Sequence, residues 1–421
     1  MLTASAPAWQ RELFERRTLG VHLGLDVIRA AYERLDGPAR RIPAVHIVGT
    51  NGKGSTAAMV AHGLQGAGRR VGLFTSPHLH RLGERIRIAG EPLDDPTVGR
   101  WIDRVIEVER RNDLGGTLTF FELLTLAALL AFADAKVDIA VVECGLGGRL
   151  DATRVANSKL TLVTPIALDH QRFLGPDLES IAAEKAAVLE NRAPALSVSQ
   201  EVGAVAVLRA AAERWQTSLR FVGPALRAPL GLPGEHQRQN AGLAQAALEH
   251  LLGQASMEQI DGVCWPGRLE RIEHDGGYML FDVAHNPHGI AALCRYLAAT
   301  PGPAGGRLIV FGSMLGKEAP VMVRELATLG DPLLLVPPAD RQGWAPARLQ
   351  TEVGASVSVS TAVAFDAPQA TVLMRDRLAA GGEVVICGSC YLVGAIRGQV
   401  LGENADLVRL SDPLPRVSSP G

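Results

Sequence analysis

The sequence predicts an α/β protein of two domains: a phosphate-loop ATPase-like N-terminal domain with a parallel sheet, followed by a smaller Rossmann-like α/β C-terminal domain. Three observations predict it. From about residue 40 to 190, short runs rich in Val, Ile and Leu alternate with helical stretches, the pattern of buried parallel strands covered by helices on both faces. A glycine-rich turn, Gly49-Thr-Asn-Gly-Lys-Gly-Ser55, follows the first of those runs and opens a helical one. A second alternating series starts after Trp265-Pro266-Gly267, whose Pro-Gly pair breaks the chain.

Taken in order, Ala44–Val48 reads as the first strand and Ser55–Gln65 as the helix behind it. Arg70–Phe74, Asp138–Val142 and Leu160–Thr164 read as further buried strands, Phe121–Phe132 and Glu179–Leu189 as helices. Val222–Gly234 carries prolines at 224, 229 and 233 and is expected to be a surface excursion. Helical pattern returns at Gln239–Leu252. The second series supplies strands at Tyr278–Val283, Arg307–Gly312, Pro332–Val336 and Glu383–Cys387. The expected domains are residues 1–267 and 268–421, with a mobile tail from Ser411.

Bulk properties narrow the function. A chain of 421 residues exceeds one ordinary core. A net charge of −2 leaves no excess of positive charge for phosphate backbones, so no nucleic acid is expected as partner. The longest apolar run, Leu123–Phe132, is too short to cross a bilayer, and no membrane partner is expected. The N-terminal stretch lacks the apolar core of a secretory signal. Cys144, Cys264, Cys294, Cys387 and Cys390 are scattered and odd in number, as expected of reduced thiols in a cytoplasmic protein. Cys387 and Cys390 form a CxxC, but no second pair or nearby His completes a zinc site.

The strongest local signal for chemistry is the turn after Ala44–Val48. Its glycines let backbone N–H groups close around phosphate oxygens, the following helix N-terminus adds positive partial charge, and Lys53 adds a full one. Ser55 stands where a hydroxyl reaches Mg²⁺, although Gly54 separates it from Lys53, a departure from the strict phosphate-loop spacing. Glu143 ends an apolar strand, where α/β sheets place ligands, and its expected partner is Mg²⁺; it could equally cap the turn that follows. Asp169-His170 ends the next strand-like run and suits a metal or phosphate. Lys185 lies among alanines, a setting that permits burial and easier loss of its proton. Asp282-Val-Ala-His285-Asn286-Pro287-His288 follows the first strand of the second series, either as a ligand-facing loop or as a plain turn.

Together these residues resemble the folylpolyglutamate synthase and dihydrofolate synthase family, relatives of the Mur ligases. The matching segments are HIVGTNGKGST (46–56), TSPHL (75–79), VVECGLGGRLDATR (141–154), IALDHQRFLG (166–175), ESIAAEKAAVL (179–189), QRQNAGLAQAAL (237–248), PGRLE (266–270), FDVAHNPHG (281–289) and VVICGSCYLVG (384–394), in family order. The resemblance implies an ATP-binding domain followed by a ligase domain. ATP and Mg²⁺ would be needed to join L-glutamate to dihydropteroate and to reduced folates through an acyl phosphate. It implies that Asn51, Gly52, Lys53, Gly54 and Ser55 hold ATP phosphates, and that Ser55, Ser76, Glu143 and His170 serve magnesium. Lys185 would be carbamylated. Asn240, Arg268 and Asp282 would contact the nucleotide, and His285 would lie near the terminal phosphate or the incoming glutamate. Phe120 or Phe121, with Leu150-Asp151-Ala152, resemble pterin-side contacts. A monomer is expected. Polyglutamylation alone, or another Mur-type amide ligation, stays open as an alternative. Ser313-Met-Leu-Gly-Lys317-Glu318 departs from the family's pattern, so Lys317 carries no expected role; Gln171-Arg172 also departs, next to His170.

Overall fold

The computed structural model describes residues 6–17, 24–338 and 343–403; the tail from Ser411, expected to be mobile, lies outside the described residues. Two sheets organise the chain. The first contains eight strands: β1 (Ala44–Val48), β2 (Val71–Phe74), β3 (Ile86–Ile88), β4 (Glu91–Pro92), β5 (Ile139–Glu143), β6 (Ser158–Val163), β7 (Ala195–Val198) and β8 (Leu219–Val222). Their order is β4-β3-β2-β5-β1-β6-β7-β8, with β3 and β4 antiparallel at one edge and the other neighbours parallel. The second contains β9 (Glu270–His274), β10 (Gly277–Phe281), β11 (Arg307–Phe311), β12 (Leu333–Leu335), β13 (Thr361–Val363) and β14 (Glu383–Cys387). Their order is β13-β12-β11-β14-β10-β9, and only β9 is antiparallel.

Strands β1, β2 and β5 are buried along their whole length, as parallel strands with helices on both faces must be. The helix Lys53–Gly66 covers one face with the helix His236–Leu252, packing Met59, Val60 and Leu64 with Leu243 and Leu248. Phe120–Asp134 is buried nearly throughout and covers the other face. It starts from a reciprocal cap in which Thr119 accepts from the Glu122 amide and Glu122 accepts from the Thr119 amide. The expected helix Glu179–Leu189 runs instead as Leu178–Ala186 and tightens into a 3-10 turn at Ala187–Asn191. The expected excursion after Val222 is irregular chain, yet Ala225 and Leu232 are buried against the core of the first sheet.

This topology brings four strand ends together. β1 lies between β5 and β6, and β2 flanks β5. Their C-terminal ends lead into Gly49–Ser55, Glu143, Pro165–His170 and Thr75–Ser76, the crevice where open α/β sheets bind ligands. The chain leaving the C-terminal ends of β10, β11 and β14 lines the same crevice from the second sheet, through Asp282, Met314 and Gly388.

Candidate active site

A cavity of about 700 Å³ lies between the two domains. The phosphate-loop residues Asn51, Gly52, Lys53, Gly54 and Ser55 line it. Gly52 caps the helix Lys53–Gly66 with φ +81°, a conformation open to glycine; a Cβ there would also overlap Asn240 Oδ1. The first amides of that helix have no partner within it and face ligand space. Asn240 Nδ2 donates to Gln237 Oε1 at 2.9 Å, but the buried Asn240 Oδ1 has no hydrogen-bond partner among the described residues. An orphaned acceptor beside a phosphate-type loop fits a ligand that carries N–H donors, as a nucleotide base does.

Glu143, Ser76, His170 and Lys185 line the same cavity. Glu143 is buried, and its Oε2 accepts from the Ser76 amide at 3.1 Å. Burial pushes its pKa up, against the opposing pull of Lys53, the Ser76 amide and Arg268. A carboxylate kept dry beside cations is a site at which an added divalent ion would restore the favoured charge. His170 adopts φ +52° and caps the short helix Gln171–Leu174. Burial and the neighbouring Lys317 lower its pKa to about 3, so its ring is neutral and able to ligate. Carboxylate, hydroxyl and neutral imidazole, all on the lining of one cavity, are donor types that a divalent ion takes.

Lys185 Nζ donates to the Gly49 carbonyl at 2.8 Å and is buried. Burial, then Lys53, lowers its pKa to about 8. The turn Gly145–Asp151 packs on its helix. The Arg149 amide donates to the Glu184 carbonyl at 2.8 Å, and Arg149 Nε donates to the Glu184 carboxylate at 2.9 Å. The same helix therefore fixes both the lysine and the turn.

The turn carries Leu150, Asp151 and Ala152, all at the cavity wall with Phe121. Asp151 Oδ2 accepts from the Gly145 amide at 3.0 Å and the Leu146 amide at 2.9 Å. Its Oδ1 accepts from the Thr153 amide at 3.0 Å and from the Thr153 hydroxyl. Four donors fill the lone-pair positions of a carboxylate, so Asp151 shapes the turn. Phe120 does not join this wall. It is fully buried in the core, beneath the Arg85 guanidinium at 5.5 Å from its ring centre. Adjacent helical residues point about 100° apart, so only Phe121 of the pair reaches the cavity.

From the second domain come Arg268, Asp282 and His285. Asp282 ties its own loop, accepting from the Leu269 amide at 3.0 Å and the Ala284 amide at 2.9 Å. His285 Nδ1 donates to the Val283 carbonyl at 2.9 Å, and its Nε2 stands 3.6 Å from Asp169 Oδ2. Asn51 and Asn286 exchange side-chain hydrogen bonds at 3.1 and 3.0 Å across the domain boundary, and Asn286 Nδ2 also donates to Asp169 at 3.0 Å. Lys317, given no role from the sequence, donates to Asp169 Oδ1 and lies 3.2 Å from His170 Nε2. Burial opposes the ionisation of Asp169, but His285, Lys317 and His170 together hold its carboxyl well below the usual range. The only sequence signal for Lys317 is a lysine in a glycine-containing loop after an apolar run.

Two facing α/β domains with a phosphate loop at their seam define the Mur-ligase class of protein. Residues 267–390 match the family model described as Mur ligase, glutamate ligase domain. The Escherichia coli protein named dihydrofolate synthase/folylpolyglutamate synthase is 33% identical over 92% of this chain and 94% of its own length. A Mycobacterium tuberculosis folylpolyglutamate synthase complexed with ADP superposes with a TM-score of 0.84 at 30% identity, covering 93% of this chain and 98% of that one. A Yersinia pestis bifunctional folylpolyglutamate synthase/dihydrofolate synthase complexed with AMPPNP and Mn ion gives 0.82 at 28% identity, over 95% of this chain and 100% of that one. The chain belongs to the dihydrofolate synthase/folylpolyglutamate synthase family. No helix among the described residues is long and apolar enough to cross a membrane.

Proposed function

We propose that this protein uses ATP to ligate L-glutamate to dihydropteroate and to tetrahydrofolate (poly)glutamates, acting as a cytoplasmic monomer. The observation that carries the reading is the meeting, in one cavity, of the phosphate loop and Glu143 from the first sheet with Asp282, His285 and Lys317 from the other domain. We divide the chain into an ATP-binding domain over residues 1–267 and a ligase domain over 268–421.

A carboxylate is a poor acyl donor, because its oxygen leaves badly. Attack of the substrate carboxylate on the ATP γ-phosphorus makes an acyl phosphate and releases ADP. The glutamate amine then attacks the acyl carbon, phosphate leaves, and the amine proton passes to a base or to solvent. Asn51, Gly52, Lys53, Gly54 and Ser55 hold the phosphates, and Lys53 balances charge on the group in transfer. Asn240, Arg268 and Asp282 hold the rest of the nucleotide. Ser55, Ser76, Glu143 and His170 would hold Mg²⁺, which supplies charge neutralisation on phosphate oxygens. Lys185, as a carbamate, extends that donor set with a carboxylate. His285 stands where the terminal phosphate and the incoming amine meet. Phe121, Leu150, Asp151 and Ala152 wall the ring end of the acceptor acid. Closure of the domains keeps water from the acyl phosphate.

The deciding experiment is phosphate release from ATP by the purified protein. Release that requires both glutamate and a pterin-containing acid supports the reading. Release that proceeds with another acceptor, and not with a pterin acid, overturns it.

A further inference from the structure

A second seam joins the domains away from the phosphate loop. The last described helix, Cys390–Leu401, carries Gly394 and Gly398 four residues apart, hence on one face. The backbone of Leu79 lies against Gly394, so closely that a Cβ there would overlap the Leu79 carbonyl oxygen. The His80 ring lies against Gly398, 3.0 Å from where its Cβ would stand. Two missing side chains thus let a loop of the first domain seat itself on a helix of the second. That loop is the one bearing Ser76, whose amide donates to Glu143.

Arg397, between the two glycines, closes the contact. It is 8% exposed, and its guanidinium grips Glu270 through Nε and Nη2, each reaching a carboxylate oxygen at 2.9 Å. Its Nη1 lies 3.2 Å from His80 Nε2 and donates to Glu403 at 2.7 Å. Glu270 Oε2 in turn accepts from the Gly267 amide at 2.8 Å, so it braces the segment that carries Arg268. On the other side, Glu84 accepts from the Leu79, His80 and Arg81 amides at 2.9, 2.9 and 2.8 Å. Each end of the clasp is therefore rigid: Glu84 stiffens the loop and Glu270 stiffens the crossing segment. The planar guanidinium, with its fixed fork of donors, sets the distance between them.

We propose that Arg397 and His80 form an interdomain clasp that positions the Ser76 loop and the Arg268 segment, so that metal and nucleotide meet one preformed site. Both are positioning residues, for neither lines the cavity. The proposal rests on the metal and nucleotide assignments above for its binding consequence, and on geometry alone for the clasp.

The test compares wild-type protein with Arg397→Met, Arg397→Lys and His80→Gln. Amide hydrogen exchange is followed in the full chain, and Mn²⁺ binding to the ADP-bound protein is read by electron paramagnetic resonance. The expected result for Arg397→Met is faster exchange confined to residues 76–84 and 266–271, with Mn²⁺ affinity lower by about tenfold, the usual scale for residues that orient ligands. Arg397→Lys keeps the charge without the fork and should fall between Met and wild type. His80→Gln keeps the burial and stands in if Arg397→Met does not fold. Unchanged exchange in both segments, or a change spread evenly over the second domain with Mn²⁺ affinity intact, overturns the clasp. If the wild type itself binds no Mn²⁺, the metal assignment fails, and the exchange result still decides the clasp.

Discussion

Lys317 of the second domain donates a hydrogen bond to Asp169 of the first, and the two side chains are 14% and 6% exposed. A charge pair this dry is sensitive to loss of either partner, because the survivor is left buried and uncompensated. Asn286 and His285 approach the same carboxylate, so three side chains of the second domain converge on Asp169 of the first.

Removing the ammonium should loosen closure. Lys317→Met is expected to lower kcat by about a hundredfold, the scale of a misplaced reacting group, and to increase the radius of gyration in small-angle scattering. A variant that keeps both wild-type turnover and wild-type scattering would leave Lys317 without a part in closure.

Lys317 is illegible in the sequence for a physical reason. The strands whose bounds the sequence does show, Ala44–Val48 and Glu383–Cys387, are wholly buried, and burial on both faces writes itself as an unbroken apolar run. Ile86–Ile88, Leu219–Val222 and Thr361–Val363 are short and partly exposed. They carry no such run, and the sequence pattern does not reveal them. Glu143 is legible because a polar residue ending an apolar strand points to the ligand-binding edge; His170 does not end its strand as expected, since β6 stops at Val163 and His170 caps the short helix beyond the loop that leaves it. Lys317 meets Asp169 across 148 residues of chain, a contact that only the packing of two domains creates. The choice between Phe120 and Phe121 likewise depends on the phase of the helix against the sheet.

Glu143 and His170 supply the charged and the imidazole donor for the divalent ion. Glu143→Gln and His170→Ala should each raise the Mg²⁺ concentration needed for half-maximal activity by about tenfold or more. A Mg²⁺ titration that coincides with wild type for both variants would remove them as ligands.

Lys185 should accept carbon dioxide. Its neutral amine attacks the carbon, an N–C bond forms, and a proton departs, which turns a cation into a carboxylate. Burial, then Lys53, places its pKa at about 8, so about one lysine in ten is neutral at pH 7 and about half at pH 8, against about one in three thousand at pH 7 for an ordinary lysine. The carbamate should therefore grow as pH rises from about 7 to about 8.5, read as a carbonyl signal in ¹³C NMR with labelled bicarbonate and absent from Lys185→Ala. A wild-type spectrum without that signal across the range would end the assignment.

Asp151 bears on how one site could serve two acceptors. Dihydropteroate presents a carboxylate close to its rings, whereas a folate presents its γ-carboxylate one glutamate further out. One phosphoryl-transfer centre can serve both only if the rings have two resting positions. The turn holding Leu150, Asp151 and Ala152 is a wall of the same cavity as Lys53 and Glu143, and is the candidate for one of them. Its shape depends on the Asp151 carboxylate, which ties the Gly145 and Leu146 amides to the start of the Ala152–Val155 turn. Asp151→Ala takes the acceptor from those half-buried amides, at a cost toward the lower end of the about 1–3 kcal/mol for a group left unpaired, and should distort the ring wall more than the phosphate loop. We expect the variant to lose more kcat/KM with dihydropteroate than with tetrahydrofolate. Asp151→Asn retains an acceptor oxygen for part of the turn and should lose less. Equal losses for both acceptors would mean that the turn serves a single ring position or only the fold, and wild-type activity with tetrahydrofolate but none with dihydropteroate would restrict the enzyme to chain extension.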